Sequence, residues 1–202
     1  MLKLTQILCL VLTLGIAEPA LCGHLRRAAA QKNYLYLSWH NQCLELDIDT
    51  IDKHIAKFEA VIAKDPDDYL AQAYLGSAYA IRAKVSFWPP TKLSNLKHGQ
   101  KLIDDAVSSA PENARVRMVR AIAYYRVPKF FGCRPISLSD FDHIIPKALK
   151  GTLGLTTLER QALLYYASLA YADDNQESLA QQCSSKCHSL DPNSEYGQLI
   201  TP

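Results

Sequence analysis

The stretch "ASLAYADDNQESLAQQCSSKCHSLDPN", residues 167–193, admits two readings, and the choice between them decides the fold. Cys183, Cys187 and His188 stand in the order of a c-type haem anchor, with three residues between the cysteines where the usual spacing is two. The same letters also read as the end of a helical hairpin. Cys183 and Cys187 are four apart, so they rise about 6 Å on one helix face. His188 falls in the last turn, where a partly cationic ring suits a helix C-terminus. Asp191-Pro192 then stops the helix, because proline cannot continue it and biases the preceding residue away from helical backbone.

Working outward, the punctuation recurs. "KDPDD" around Pro66, "SAPEN" around Pro111 and "LDPNS" around Pro192 each end a helical pattern. Each brings acidic or Asn side chains suited to cap the next helix. Before the first mark, Ile51, Ile55, Phe58 and Ile62 form a stripe at helical spacing. After it, "YLAQAYLGSAYAIRAK" (69–84) is apolar on nearly all sides and reads as a buried helix. "LGSAYA" (75–80), "RAIAYY" (120–125) and "ASLAYA" (167–172) align on Tyr79, Tyr124 and Tyr171, spaced 45 and 47 apart. Self-similarity at such a period is the mark of stacked units, each burying its apolar face against a neighbour.

These residues resemble the tetratricopeptide repeat. Leu75-Gly76 followed by Tyr79 fits the first helix of one unit. Tyr171, Ala180 and Pro192 fit another, with the 21-residue Tyr-to-Pro separation of the family. Ala106, Tyr124 and Ala180 take repeat-structural places beside them. Against the family period of about 34, Pro66 to Pro111 is 45 residues, so eleven are inserted. The run from "AYLGSAYAIRAK" through "APENARVRMVRA" to "VPKFFG" is similar to small exported bacterial repeat proteins of unassigned activity. The resemblance covers roughly residues 51–193. It implies an all-α fold: a short irregular α-solenoid of antiparallel helix hairpins, about seven or eight helices, as one domain over residues 24–202.

The N-terminus sets the expected address. Lys3 precedes "ILCLVLTLGI" (7–16), a charge-free apolar run of ten, followed by small residues. That is the layout of a secretory leader over residues 1–22, cut after Ala17 or Cys22. The run is shorter than the ~20 residues a membrane span needs. The expectation is an exported product, periplasmic or extracellular in a bacterial envelope, with no stable membrane insertion after cleavage. Export makes disulfides among Cys43, Cys133, Cys183 and Cys187 a candidate feature. The net charge of +2 predicts no general attraction to nucleic acid.

Candidate binding residues fall in three places. Two apparent loop insertions, "KVSFWPPTKLSN" (84–95) and "YRVPKFFGCRPISLSD" (125–140), carry Phe87, Trp88, Tyr125, Phe130 and Phe131 among Lys84, Lys92, Lys129 and Arg134. Pro89-Pro90 argues against a continuous helix there. Such loops on one solenoid edge make a recognition surface, or their aromatics fold inward to cap unequal helices; the inward packing is the expected outcome. Arg117 and Arg120, three apart on one face, suit a carboxylate or phosphate, or pair with Asp104, Asp105 or Glu112. The concave face inferred from the family carries Leu70, Ala73, Ser77, Ala80, Met118, Ile122, Tyr125, Tyr165 and Leu169. It receives an apolar peptide or is covered by residues 24–47.

No catalytic set, metal-ligand spacing, Gly-rich phosphate loop or nucleophile elbow is present in the sequence. The expected function is therefore a non-enzymatic scaffold for a protein or peptide partner, with no cofactor and no metal. The alternatives are a haem or thiol-redox protein using Cys183, Cys187 and His188, and an enzyme without a recognisable motif.

Overall fold

The structure, a computed structural model, describes residues 4–200, with side chains placed from Gly23 onward except Leu25. Among the described residues it is all-helical: α1 Leu4–Cys43, α2 Ile48–Lys64, α3 Tyr69–Val85, α4 Pro89–Ser109, α5 Ala114–Arg126, a 3-10 turn Lys129–Phe131, α6 Arg134–Lys150, α7 Thr157–Asp173, α8 Glu177–Leu190 and the short α9 Glu195–Leu199. Consecutive helices pack as antiparallel hairpins, and α3, α5 and α7 pack side by side through the stack. The leader expected over residues 1–22 lies outside the residues with described side chains. Among the described residues no helix is long and apolar enough to cross a membrane.

The punctuation acts as capping chemistry. Asp47 accepts from Thr50 N, Asp68 from Ala71 N, and Asn113 from Arg115 N and Val116 N, each satisfying a free N–H of the first turn. Thr156 and Glu159 form a reciprocal capping box at the start of α7. Gln161 closes the other end of its hairpin, donating to the Cys187 and Asp191 carbonyls at 3.1 and 2.9 Å.

The three aligned tyrosines share one role. Tyr79 donates to Glu59 of α2 at 2.8 Å, Tyr124 to the Gln100 carbonyl of α4 at 3.2 Å, and Tyr171 to Asp142 of α6 at 3.0 Å. Each ties its helix to the one before it. The spacing in the sequence is therefore a spacing of equivalent contacts.

Two insertions expected as loops are not loops. Pro89 and Pro90 occupy the first turn of α4, where their missing N–H groups cost no hydrogen bond. The extra residues lengthen α4 to 21, and only Ser86–Trp88 connects α3 to it. The second segment shortens to residues 127–133, because Arg134-Pro135 opens α6 in the same way.

The α3–α4 hairpin is the closest in the stack, and glycine permits it. A Cβ on Gly76 would lie 2.5 Å from the Gly99 carbonyl oxygen, and a Cβ on Gly99 would meet the Gly76 oxygen. Backbone, unlike a side chain tip, cannot step aside. Gly76→Ala is expected to destabilise the fold by about 1–3 kcal/mol, read as a lowered urea midpoint. Gly23→Ala, with no atom within 4 Å of its Cβ, is expected to leave the midpoint unchanged.

Candidate functional site

Four helices turn stripes at helical spacing towards one hollow. Leu37, His40 and Asn41 come from α1 and Leu44 from the turn just after it; Ser77, Ile81 and Lys84 from α3; Met118, Ile122 and Arg126 from α5; Leu158, Ala162 and Tyr166 from α7. Leu93 and Leu96 of α4 and Tyr196 of α9 complete the wall. The cavity measures about 680 Å³ and is mostly apolar. That is ligand-sized: binding pockets typically run ~300–1,000 Å³.

The helix α1 makes this a cavity: of the two expectations for the concave face, partial cover by residues 24–47 is the one the structure shows. Asp68, the N-cap of α3, accepts from Tyr36 Oη at 2.7 Å and from Lys32 Nζ at 3.1 Å. Further along, His40 Nε2 and Ser77 Oγ lie 2.9 Å apart. Tyr36 packs with Phe58 and Trp39 in the same cluster as Leu70 and Ala73. Residues 32–44 thus cover the first part of the expected concave face and leave the rest hollow. Of the nine residues expected on that face, Ser77, Ala80, Met118 and Ile122 line the cavity. Leu70 and Ala73 are buried in the core, while Tyr165 packs edge-on against Tyr166.

Of the two readings of Arg117 and Arg120, the structure shows ion pairing in place of a free ligand-binding face, with Asp140 as the main partner and, of the expected acids, Asp104 alone. Arg117 Nη1 donates to Asp140 at 2.6 Å, and Arg120 reaches both Asp140, at 2.6 and 2.9 Å, and Asp104, at 3.1 Å. Asp140 is fully buried, so the pair neutralises an interior carboxylate and is not free for a guest. Arg115 turns to the next hairpin and holds Glu159 at 2.6 Å. Tyr125 lies under the Arg134 guanidinium at 3.9 Å, and Arg134 in turn holds Asp173 at 2.9 Å.

The aromatics expected to fold inward instead face outward. Phe87 is 96% exposed, Trp88 63% and Phe130 82%, while Phe131 is covered in part by Phe130 at 4.4 Å between centroids. Phe130 and Phe131 border the cavity mouth together with Pro89 and Leu93, so the start of α4 and the 127–133 connection meet at one edge.

The cysteines are corrected too. Cys43, Cys133, Cys183 and Cys187 are free and buried, with no two at bonding distance. Cys183 and Cys187 sit in the core of the last two hairpins beside Leu163, Leu164 and Ala167. Burial pushes the Cys187 thiol up to about 11 and that of Cys183 to about 12, aided by each other's charge at Cys183. They are protonated and inert at neutral pH. His188 Nδ1 is 3.0 Å from the Gly197 carbonyl oxygen. Thiols enclosed in this way, beside a ring already engaged, do not fit a haem anchor. Among the described residues no three His, Cys, Asp or Glu side chains gather as a metal site.

Cavity residues that sequence reading missed are His40, Arg126, Tyr166 and Tyr196. A signal for Arg126 exists: it continues the every-fourth-residue stripe from Met118 through Ile122. No family model, no curated protein and no solved structure matches the chain.

His40 gives the cavity a pH signature. Enclosure by protein, then the Arg126 charge, lower its pKa from 6.5 to about 4. The folded state therefore holds the ring neutral, while the unfolded chain protonates it near its ordinary value. Its contribution to stability is whole above pH 6.5 and is lost as pH falls towards 4. Urea unfolding at pH 7.5 and pH 4.5 is expected to show the wild type losing on the order of 2 kcal/mol more than His40→Gln. Equal losses would mean that the ring is charged or solvated in the fold.

Proposed function

We propose that the protein is an exported, non-catalytic binding module on tetratricopeptide-like hairpins, and that its working surface is the cavity between α1 and the α3–α5–α7 face. One observation carries this reading: a ligand-sized apolar hollow lined by Leu37, Ile81, Met118 and Ile122. Small apolar side chains such as Ala80 and Ala162 leave it open, and emptiness of this size forfeits packing that a guest restores. Export rests on the leader-like residues 1–22.

A second reading keeps a protein or peptide partner, and the exposed rim favours it. Phe87, Trp88 and Phe130 offer apolar area that is left exposed among the described residues. An extended peptide gripped by these rings would reach the mouth at Pro89 and Phe130 and insert one apolar side chain.

The cavity reading is tested with the polarity-sensitive dye N-phenyl-1-naphthylamine. Saturable fluorescence enhancement is expected, lost at least tenfold in Ile122→Trp, which fills the hollow, provided its urea midpoint stays near the parent's. Retained affinity in a folded Ile122→Trp would place binding elsewhere. Loss in Phe87→Ala/Trp88→Ala alone would favour the rim.

A further inference from the structure

Resting on the cavity reading, we propose that the guest is a single-chain amphiphile with an anionic head, its alkyl chain inside the cavity and its head at the mouth against Arg126, Lys84 and Lys92. The volume of about 680 Å³ holds roughly twenty heavy atoms at the ~30 Å³ that a water molecule occupies in the liquid. The wall is mostly apolar, and its His40 and Ser77 side chains already hydrogen-bond to each other. A peptide backbone drawn inside would leave its amides unpaired at substantial cost. A methylene chain has no such groups.

The sign of the head follows from the charges that face the cavity. Arg126, Lys84 and Lys92 line it, are exposed, and have no carboxylate within 4 Å among the described residues. Two carboxylates also line it. Glu159 is neutralised by Arg115 at 2.6 Å, and Glu195 is exposed at the start of α9. Three unpaired cations thus stand against one unpaired carboxylate. The Arg126 guanidinium lies 6.0 Å from the Tyr166 ring centroid, which holds it at the cavity wall. His40, neutral above the acid range, adds no charge inside. An anion that also places its chain in the hollow satisfies both features; an alkyl cation satisfies only the second.

The test is displacement of N-phenyl-1-naphthylamine from the full native protein by alkanoates of eight to sixteen carbons. Alkyl phosphates, alkyl maltosides and alkyltrimethylammonium salts of matched chain length are compared below their micelle concentrations. Alkanoate affinity is expected to rise about fourfold per methylene and then level off as the cavity fills. Alkanoates and alkyl phosphates are expected to bind at least tenfold tighter than the ammonium series. Arg126→Gln/Lys92→Gln is expected to erase that preference while keeping the chain-length slope. A slope with no head preference, or with a preference for the cation, would overturn the anionic guest and leave the apolar cavity standing. No slope in any series would overturn both.

Discussion

The carboxylate of Asp68 is the constraint on which the rest of the structure depends. It caps the first turn of α3 through Ala71 N and at the same time receives Tyr36 and Lys32 from α1. Its side chain is 4% exposed, so the charge-assisted bonds act with little competition from water. Together with the His40–Ser77 contact and the packing of Tyr36 and Trp39 on Phe58, that group fixes α1 across the stack. With α1 in place, the concave face of the first hairpin is buried and the remainder becomes an apolar hollow with an open mouth. Without it, α3, α5 and α7 would present an open groove.

The arginines of "RVRMVR" keep that space from collapsing. Arg120 spans from Asp104 on α4 to Asp140 on α6, while Arg117 completes the neutralisation of Asp140. Arg115 holds α7 through Glu159. Three arginines within six residues of one helix therefore set the distances among four. Asp140 and Glu159 are buried carboxylates that would be stranded without their guanidinium partners, so the arrangement is held even where ion pairs add little net stability. Close contact through Gly76 and Gly99 fixes the α3–α4 wall from the other side. A hollow between elements held this firmly can stay open, whereas a loosely tied one would close on itself.

The helices, their caps and the equivalence of Tyr79, Tyr124 and Tyr171 were legible because each rests on local pattern: periodicity, Asp-Pro punctuation and a recurring tyrosine. Pro89-Pro90 misled because proline opens a helix as readily as it ends one, and the difference lies in which N–H groups are already free. Phe87 and Phe130 were expected inside because long loops need packing of their own, yet the connections are short and leave them exposed. Pairing of Arg120 with Asp104 was legible from their nearness in sequence, but Asp140, twenty residues on, could not be placed opposite Arg117 and Arg120. The cavity was only half visible. Its floor of Met118 and Ile122 belongs to the repeat face, but its far wall comes from α1 and α9, segments outside the repeat pattern whose packing no local signal encodes.

A guest held in the hollow would lie against Met118, which makes that side chain a direct probe. The chain has two methionines, Met1 and Met118, and the second is 4% exposed and lines the cavity. Carbon-13 methyl-methionine NMR during titration with decanoate reports on that floor by itself. The Met118 methyl resonance is expected to move in proportion to bound decanoate, and Ile122→Trp is expected to abolish the movement. Saturable decanoate binding with a stationary Met118 resonance would contradict a guest held in the hollow.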